Sequence, residues 1–330
     1  MLRRLIIVSL TVSLLCLSLM AFTAFANENE PIVLKVGDNS SEDSPYAMGI
    51  KKLIELVNER SPQKFDLQLF PFGQLGSTRE RIEGVQTGTQ KMTVGSTGAL
   101  SGFIPNIAVF DFPYLFRDDE HVQKVLDGPV GQDIVEGSPE DLNLRVLCYF
   151  ENGWRHVTNN SRVIEKPEDL KGLKIRVMES KVFLASLNAM GASATAMPWP
   201  EVISSLRVGI IDGQENVPIN ILNDHTYEVQ KYLSLTKHFY NPAVVLINEK
   251  FFQSLSKDVQ EIIKESAKEA AVYQRNLAFN ESEKAIEILE EKGMIINRNP
   301  DIDAFVQATK SVYDKFPEMK PLIEKIQAVK

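Results

Sequence analysis

Ile32-Val33-Leu34-Lys35-Val36-Gly37 is apolar, β-branched and closed by a glycine, which reads as a strand. The elements downstream of it decide the fold. From about Pro45, residues Ile50, Leu53, Ile54 and Val57 recur at i, i+3, i+4 and i+7, a buried stripe on an amphipathic helix. Phe65-Asp66-Leu67-Gln68-Leu69-Phe70 alternates as a second strand. Ser77 with Glu80 forms a capping box, with Ile82 and Val85 behind it and Gly88 at the exit. Met92–Gly95 reads as a third strand. This succession of strand, helix, strand, helix and strand predicts a mostly parallel sheet with helices on its faces.

A second series begins near Trp154. Pro167-Glu168-Asp169 starts one helical turn, and Leu173-Lys174-Ile175-Arg176-Val177 is a strand. Ser180–Met190 and Glu201–Val208 are helices closed by Gly191 and Gly209, after which Ile210-Ile211-Asp212-Gly213 re-enters a sheet. Ala243–Ile247 is an apolar strand run. A helical pattern then opens at Ser256 and continues to about Lys292-Gly293. At about 1.5 Å per residue that helix is roughly 50 Å long, wide enough to brace two lobes. A chain of 330 residues also exceeds what one hydrophobic core usually serves. With no flexible linker in the pattern, the lobes are expected to be joined by crossing strands.

The start of the chain carries an address. Met1-Leu2-Arg3-Arg4 precedes an apolar run from Leu5 to about Phe22, and Ala24-Phe25-Ala26 supplies a small-x-small exit. This is the pattern of a secretory signal peptide over residues 1–26, a membrane anchor being the alternative its length permits. Leu15 stands before Cys16 where a lipoprotein site wants a small residue. Two arginines and no acid leave with the signal, taking the formal charge from −8 to −10. Only Cys148 then remains, so no disulfide forms within the mature chain. An acidic balance without basic clusters excludes nucleic acid as a partner.

Catalytic chemistry is hard to find. The four histidines, His121, His156, His225 and His238, form no HExxH helix and no zinc-spaced cluster. Asp118-Asp119-Glu120-His121 reads as acids opening a helix rather than as a metal site. Gly73-Gln74-Leu75-Gly76-Ser77 lacks the ending of a phosphate loop, and no GxSxG elbow is present. No catalytic residue, metal or cofactor is expected. The residues that remain suit a carboxylate. Arg176 sits in an apolar strand, where arginine is costly unless paired; it either grips a ligand carboxylate through two hydrogen bonds or pairs with an internal acid. Trp154 and Arg155 set a stacking surface beside a cation, or simply pack the lobe. Asn216, in Gln214-Glu215-Asn216 after the tight Asp212-Gly213, offers an amide or plain turn chemistry. Trp199 lies between Pro198 and Pro200, outside any helix interior, facing a cleft or plugging a loop.

In this order the motifs resemble the solute-binding subunits of TRAP transporters (tripartite ATP-independent periplasmic), the DctP-type family. The marks are Phe72-Gly73-Gln74-Leu75-Gly76, Val109-Phe110-Asp111-Phe112-Pro113-Tyr114-Leu115-Phe116, and Pro167–Val177 with its Leu170-Lys171-Gly172-Leu173-Lys174-Ile175-Arg176 core. Glu201-Val202 leading to Val208-Gly209, Asp212-Gly213-Gln214-Glu215-Asn216 and Tyr227-Glu228-Val229-Gln230-Lys231-Tyr232 complete the series over most of the mature chain. The resemblance implies a two-lobed α/β periplasmic binding protein fold with hinge strands and a long helix spanning both lobes. Residues 27–152 with about 242–281 would form lobe I, and 153–241 with about 282–330 lobe II. It implies a monomer that takes a small organic acid to separate membrane subunits for sodium-driven uptake. A sensory protein of the same fold, serving a receptor kinase, remains the alternative.

By matching positions, Arg176 resembles the carboxylate-clamping arginine, Arg155 its basic partner and Asn216 the amide that meets the same carboxylate. Trp199 takes the place of a cleft-lining aromatic ring. Ser96 stands where sialic-acid binders present an acid, and Glu179 where a neutral polar residue is common. A second ligand carboxylate would need its own cation, and these positions supply only Arg155 and Arg176. The expected ligand is therefore a hydroxylated monocarboxylate such as a uronate, in preference to a C4-dicarboxylate.

Overall fold

A computed structural model describes residues 30–136 and 138–330; the expected signal peptide lies outside them. Strand β1 (Ile32–Gly37) pairs in parallel with β2 (Phe65–Phe70), from Ile32 opposite Phe65 to Gly37 opposite Phe70. Between them runs the helix Pro45–Arg60, whose N-cap Ser44 accepts from the Ala47 amide and whose Ile50, Leu53, Ile54 and Val57 are all buried. Burying each such side chain is worth about 1.5–3 kcal/mol. The helix Thr78–Thr87 closes the expected capping box between Ser77 and Glu80, and β3 (Met92–Ser96) follows. The acid run opens the helix Asp119–Asp127, with Asp118 as its cap.

The main sheet has seven strands in the order β3-β8-β4-β7-β5-β6, with β9 (Ile295–Asn297) beside β8. It is mixed rather than mostly parallel. Strand β8 (Tyr232–Asn248) runs antiparallel to β3 and to β4 (Leu144–Asn159), and β4 runs antiparallel to β7 (Gly213–Asn216). Only β5 (Lys174–Val177), between β6 (Ser193–Ala196) and β7, and the β8–β9 pair are parallel. The cause is that β4 and β8 are 16 and 17 residues long and serve both lobes, a single antiparallel pair threading two βα units. Their register shifts between Val146 and Cys148, Glu151 and Gly153, and Arg155 and Val157. Such irregularities bend a strand, and Gly153, at φ +111°, adopts there a conformation strained for any side chain.

The helix Lys257–Glu291 has 35 residues and joins both lobes through one face. Val259, Ile263, Ala267, Ala270 and Ala271 pack with Leu34, Val36 and Phe150 of the first core. Farther on, Ala285 packs with Val217 and Ile219, and Leu289 with Ile221 and Leu233. At the crossing, Gln274 accepts from the Glu151 amide (2.6 Å) and donates to the Glu151 carbonyl (2.8 Å), so the brace grips the strand where its register slips. A core of Val157, Ile175, Val177, Phe183, Leu187, Phe239 and Phe305 fills the second lobe. Met319, Ile323 and Ile326, from the end of the chain, join a cluster that holds Phe110, Phe112, Phe116 and Ile134 together with Val182 and Tyr240.

Candidate binding cleft

One cavity, with about 670 Å³ of free space including its mouth, opens where β1, β3, β5 and β7 end. Folds of α/β type bind ligands beyond the carboxyl ends of their strands. Of the residues singled out in the sequence, Ser96, Arg155, Arg176, Glu179, Trp199 and Asn216 line it. Trp154 does not. Consecutive side chains of a strand face opposite ways, and Arg155 takes the cavity side. The Trp154 indole donates to Asp119 (2.6 Å), meets Tyr240 edge-on at 5.2 Å and carries Lys237 Nζ 4.2 Å above its ring.

Arg176 is 3% exposed in the interior strand β5, between the fully buried Ile175 and Val177. Its Nε donates to the Met197 carbonyl (2.7 Å), and its guanidinium carbon lies 5.4 Å from the Trp199 ring centroid. No acid pairs with it, and its two terminal nitrogens have no acceptor among the described residues. Burial lowers its pKa to about 10, opposed in part by Glu215 and Glu179, so it is charged at neutral pH. A buried cation with two free nitrogens is an open anion clamp.

Arg155 differs. Glu215, 0% exposed, takes its Nε and Nη2 with both carboxylate oxygens, and the Glu215 carbonyl takes Nη2 again (2.6 Å). Burial works to raise the Glu215 pKa, but Arg155 and the hydrogen bonds outweigh it and hold the group ionised below its ordinary value. Arg155 is thus neutralised, with only Nη1 unbonded. Glu215 and Asn216 lie on a strand, β7, not in the turn chemistry that their polarity suggested. The Asn216 carbonyl oxygen accepts from the Val217 amide (2.9 Å) and from Asn220 (3.3 Å), which leaves its amide nitrogen for the cavity.

Ser96 caps the turn Thr97–Leu100 and donates to Asn241 (2.5 Å), its hydroxyl 3.2 Å from Met178 Sδ on the facing wall. Glu179 is exposed at the rim with no hydrogen-bond partner among the described residues. Trp199, half-buried in the turn Trp199–Glu201, also lines a neighbouring surface depression with Phe72 and Gly73.

The opposite wall escapes sequence reasoning. Arg81, 1% exposed, lines the cavity as a third cation and corrects the expectation that only Arg155 and Arg176 do so. Its donors meet only neutral acceptors: Asn39 (2.8 Å), the Gly76 carbonyl (2.8 Å), Thr93 and Thr78 (3.3 Å each). Its place one turn before buried Val85 is the available signal. Asp38 follows β1 directly, the position that the strand-end rule marks. Tyr46, Asn152, Asn220 and Asp224 also line the cavity, Asp224 from the side of β7, and the Tyr46 hydroxyl is buried without a partner among the described residues. The arrangement offers one open anion clamp opposite a surface of mixed donors and acceptors.

The family model for bacterial extracellular solute-binding protein family 7 (DctP) matches residues 36–319. The 2,3-diketo-L-gulonate-binding periplasmic protein YiaO of Escherichia coli K12 is 40% identical over 276 residues, 83% of this chain and 84% of its own. A TRAP periplasmic solute binding protein from Polaromonas sp. JS666, bound to D-erythronate, has a TM-score of 0.88 at 37% identity, covering 91% of this chain and 99% of the other. Another from Sulfitobacter sp. NAS-14.1, with bound β-D-galacturonate, has a TM-score of 0.85 at 30% identity, covering 89% and 99%.

Proposed function

We infer that this chain, which belongs to bacterial extracellular solute-binding protein family 7 (DctP), holds a sugar acid by one carboxylate in the cleft between its lobes. It is a TRAP-type solute-binding protein. The observation that carries the ligand reading is Arg176, a buried guanidinium with two free nitrogens and no protein counter-ion. Asn216 adds an amide donor to the same carboxylate, and Arg155 adds the edge that Glu215 leaves it. Trp199 supplies a flat face for the C–H side of the ligand. Arg81 does not make the site a diacid site, because Asn39, Gly76, Thr78 and Thr93 already take four of its hydrogen bonds. Asp38 beside it and Glu179 at the rim would repel a second carboxylate but accept hydrogen bonds from hydroxyls. Relatives of this fold hold galacturonate and erythronate, both hydroxylated monocarboxylates.

The mechanism is hinge closure. The acid meets one wall first, and contacts to both walls then favour the closed state by differential affinity. The protein performs no reaction on its ligand; it works outside the cytoplasm, in the periplasm after loss of residues 1–26, and as a monomer delivers the ligand to membrane subunits driven by a sodium gradient. A thermal-shift comparison of glucuronate, galacturonate, gluconate, succinate and malate at equal concentration tests the ligand class, since a ligand of the native state raises apparent stability. The sugar acids are expected to stabilise the protein and the C4-dicarboxylates not; stabilisation by succinate alone would overturn the reading.

Trp199 gives an optical check. Of the two tryptophans only this one lines the cavity, stacked on the clamp. Saturating ligand is expected to shift or quench emission in the wild type and in Trp154→Phe, and to leave Trp199→Phe nearly silent. A full response in Trp199→Phe would place the reporting ring elsewhere.

A further inference from the structure

The first wall and the second each bring one acid to the cavity, and one serine joins them. Asp38 follows β1, and Asp224 ends the helix Pro218–Asn223. Ser40 donates its backbone N–H to Asp38 Oδ1 (3.2 Å) and its hydroxyl to Asp224 Oδ2 (3.3 Å), so the second bond crosses the cleft. Ser44 donates a short hydrogen bond to the other Asp38 oxygen. Asp224 Oδ1 has no protein partner, and neither acid forms an ion pair among the described residues.

No cation that shares the cavity forms a hydrogen bond or ion pair with Asp38 or Asp224 among the described residues, although the charge of Asp38 acts through space on Arg81. Arg81 is held by its four neutral acceptors, Arg155 by Glu215, and Arg176 by Met197 and Trp199. Glu179 stands at the rim beside Arg176. His225, the next residue after Asp224, turns to Tyr227 (3.0 Å) and Glu228 (3.5 Å). Asp38 is the charge that acts on Asp224, and it is a like charge. Burial raises the Asp224 pKa to about 8, Asp38 adds to the rise, and the Ser40 bond opposes it.

We propose that Asp224 is a specificity-determining residue at the far end of the cleft, which closes onto Ser40 and Asp38 as the neutral acid, so that ligand capture takes one proton from solvent. This rests on the sugar-acid reading of the same site. As an acid, Asp224 donates from its O–H and accepts with its other oxygen, and so reads a ligand hydroxyl in both senses; Asp38 only accepts. Opening separates the two carboxyls and rehydrates Asp224, which returns to the ordinary carboxylate range and releases the proton to solvent. The sign is fixed by the two states. Below the ordinary range both are protonated, above about 8 both are ionised, and between these limits the closed state holds one proton more. Affinity therefore falls as pH rises through that interval, by up to about tenfold per pH unit.

Calorimetric titration of galacturonate, or of whichever of the five acids shifts stability most, at pH 7 in two buffers of different ionisation enthalpy counts the protons directly. The wild type is expected to take up close to one proton and to bind more tightly at pH 6 than at pH 8. Asp224→Asn, similar in shape, is expected to bind with no uptake and a flat profile. Binding by the wild type without proton uptake overturns the proposal while leaving the sugar-acid reading intact, and needs no variant. A folded Asp224→Asn protein that keeps the wild-type pH profile overturns it as well. Binding of none of the acids at either pH overturns both.

Discussion

Arg176→Lys is expected to weaken binding of the cognate acid at least tenfold, about 1.4 kcal/mol, while the protein stays folded. Lysine keeps the positive charge but has no planar fork, so it loses the parallel pair of hydrogen bonds to a carboxylate. It also loses the Nε bond to the Met197 carbonyl (2.7 Å) and the guanidinium stack on Trp199. Burial that lowers the arginine to about pKa 10 leaves it charged, whereas a lysine ammonium in the same place shifts more readily toward neutrality. Arg176→Met, which removes the charge, is expected to abolish measurable binding and to leave the ligand-free melting temperature unchanged or higher, because an unpaired buried cation stabilises nothing. Titration calorimetry and thermal melting separate the two quantities. Unchanged affinity in a folded Arg176→Lys protein would remove Arg176 from the clamp.

Legibility in the sequence tracks the chemistry of each element. Where apolar side chains repeat, as at Ile50, Leu53, Ile54 and Val57 or through the long helix, the pattern and the structure agree. It is weakest where buried residues are polar. The sequence shows strand β8 only at Ala243–Ile247, yet the strand starts at Tyr232, and its earlier half holds Thr236, His238 and Asn241 at 0% exposure. Their side chains are met by each other and by Thr97, not by an apolar stripe, so no periodicity announces them. Strand β7 is the same case: Gln214 meets Thr158, Glu215 meets Arg155, and Asn216 meets Asn220. A polar tetrapeptide looks like a turn until its partners, about 60 residues away in Arg155 and Thr158, are known.

The cleft shows the same division. Arg176 is conspicuous because a charge interrupts an apolar strand, and Trp199 because two prolines flank it. Arg81 is hidden by an ordinary charged helix, Thr78-Arg79-Glu80-Arg81, in which only the turn-by-turn position distinguishes the buried arginine from the exposed one. Asp38 and Asp224 come together through Ser40 over a separation of 184 residues between Ser40 and Asp224. Local sequence contains no trace of such a pairing.

Glu215→Gln is expected to cost more stability than any single surface change, about 3–5 kcal/mol, with a fall in melting temperature on the order of 10 °C. Glu215 is 0% exposed and Arg155 2%, so removing the acid leaves a buried guanidinium without its paired counter-charge. His238, whose Nε2 lies 3.7 Å from Glu215 and whose own proton burial disfavours, brings no negative charge to compensate. The pH dependence has the matching sign. Glu215 is held below its ordinary value when folded, so its contribution is present above the unfolded carboxylate range and is lost as pH falls through the folded value. The wild type should therefore lose stability toward acid with a component that Glu215→Gln lacks. A double variant, Arg155→Met with Glu215→Leu, distinguishes a structural pair from a binding one. Apolar replacements remove the desolvation cost along with the attraction, so the melting temperature should recover most of the loss. Binding should not recover, because the Arg155 edge and the field behind Arg176 are both gone. A Glu215→Gln protein that melts with the wild type would show that Arg155 finds another partner, and a double variant with full affinity would reduce Arg155 and Glu215 to scaffolding beneath Arg176.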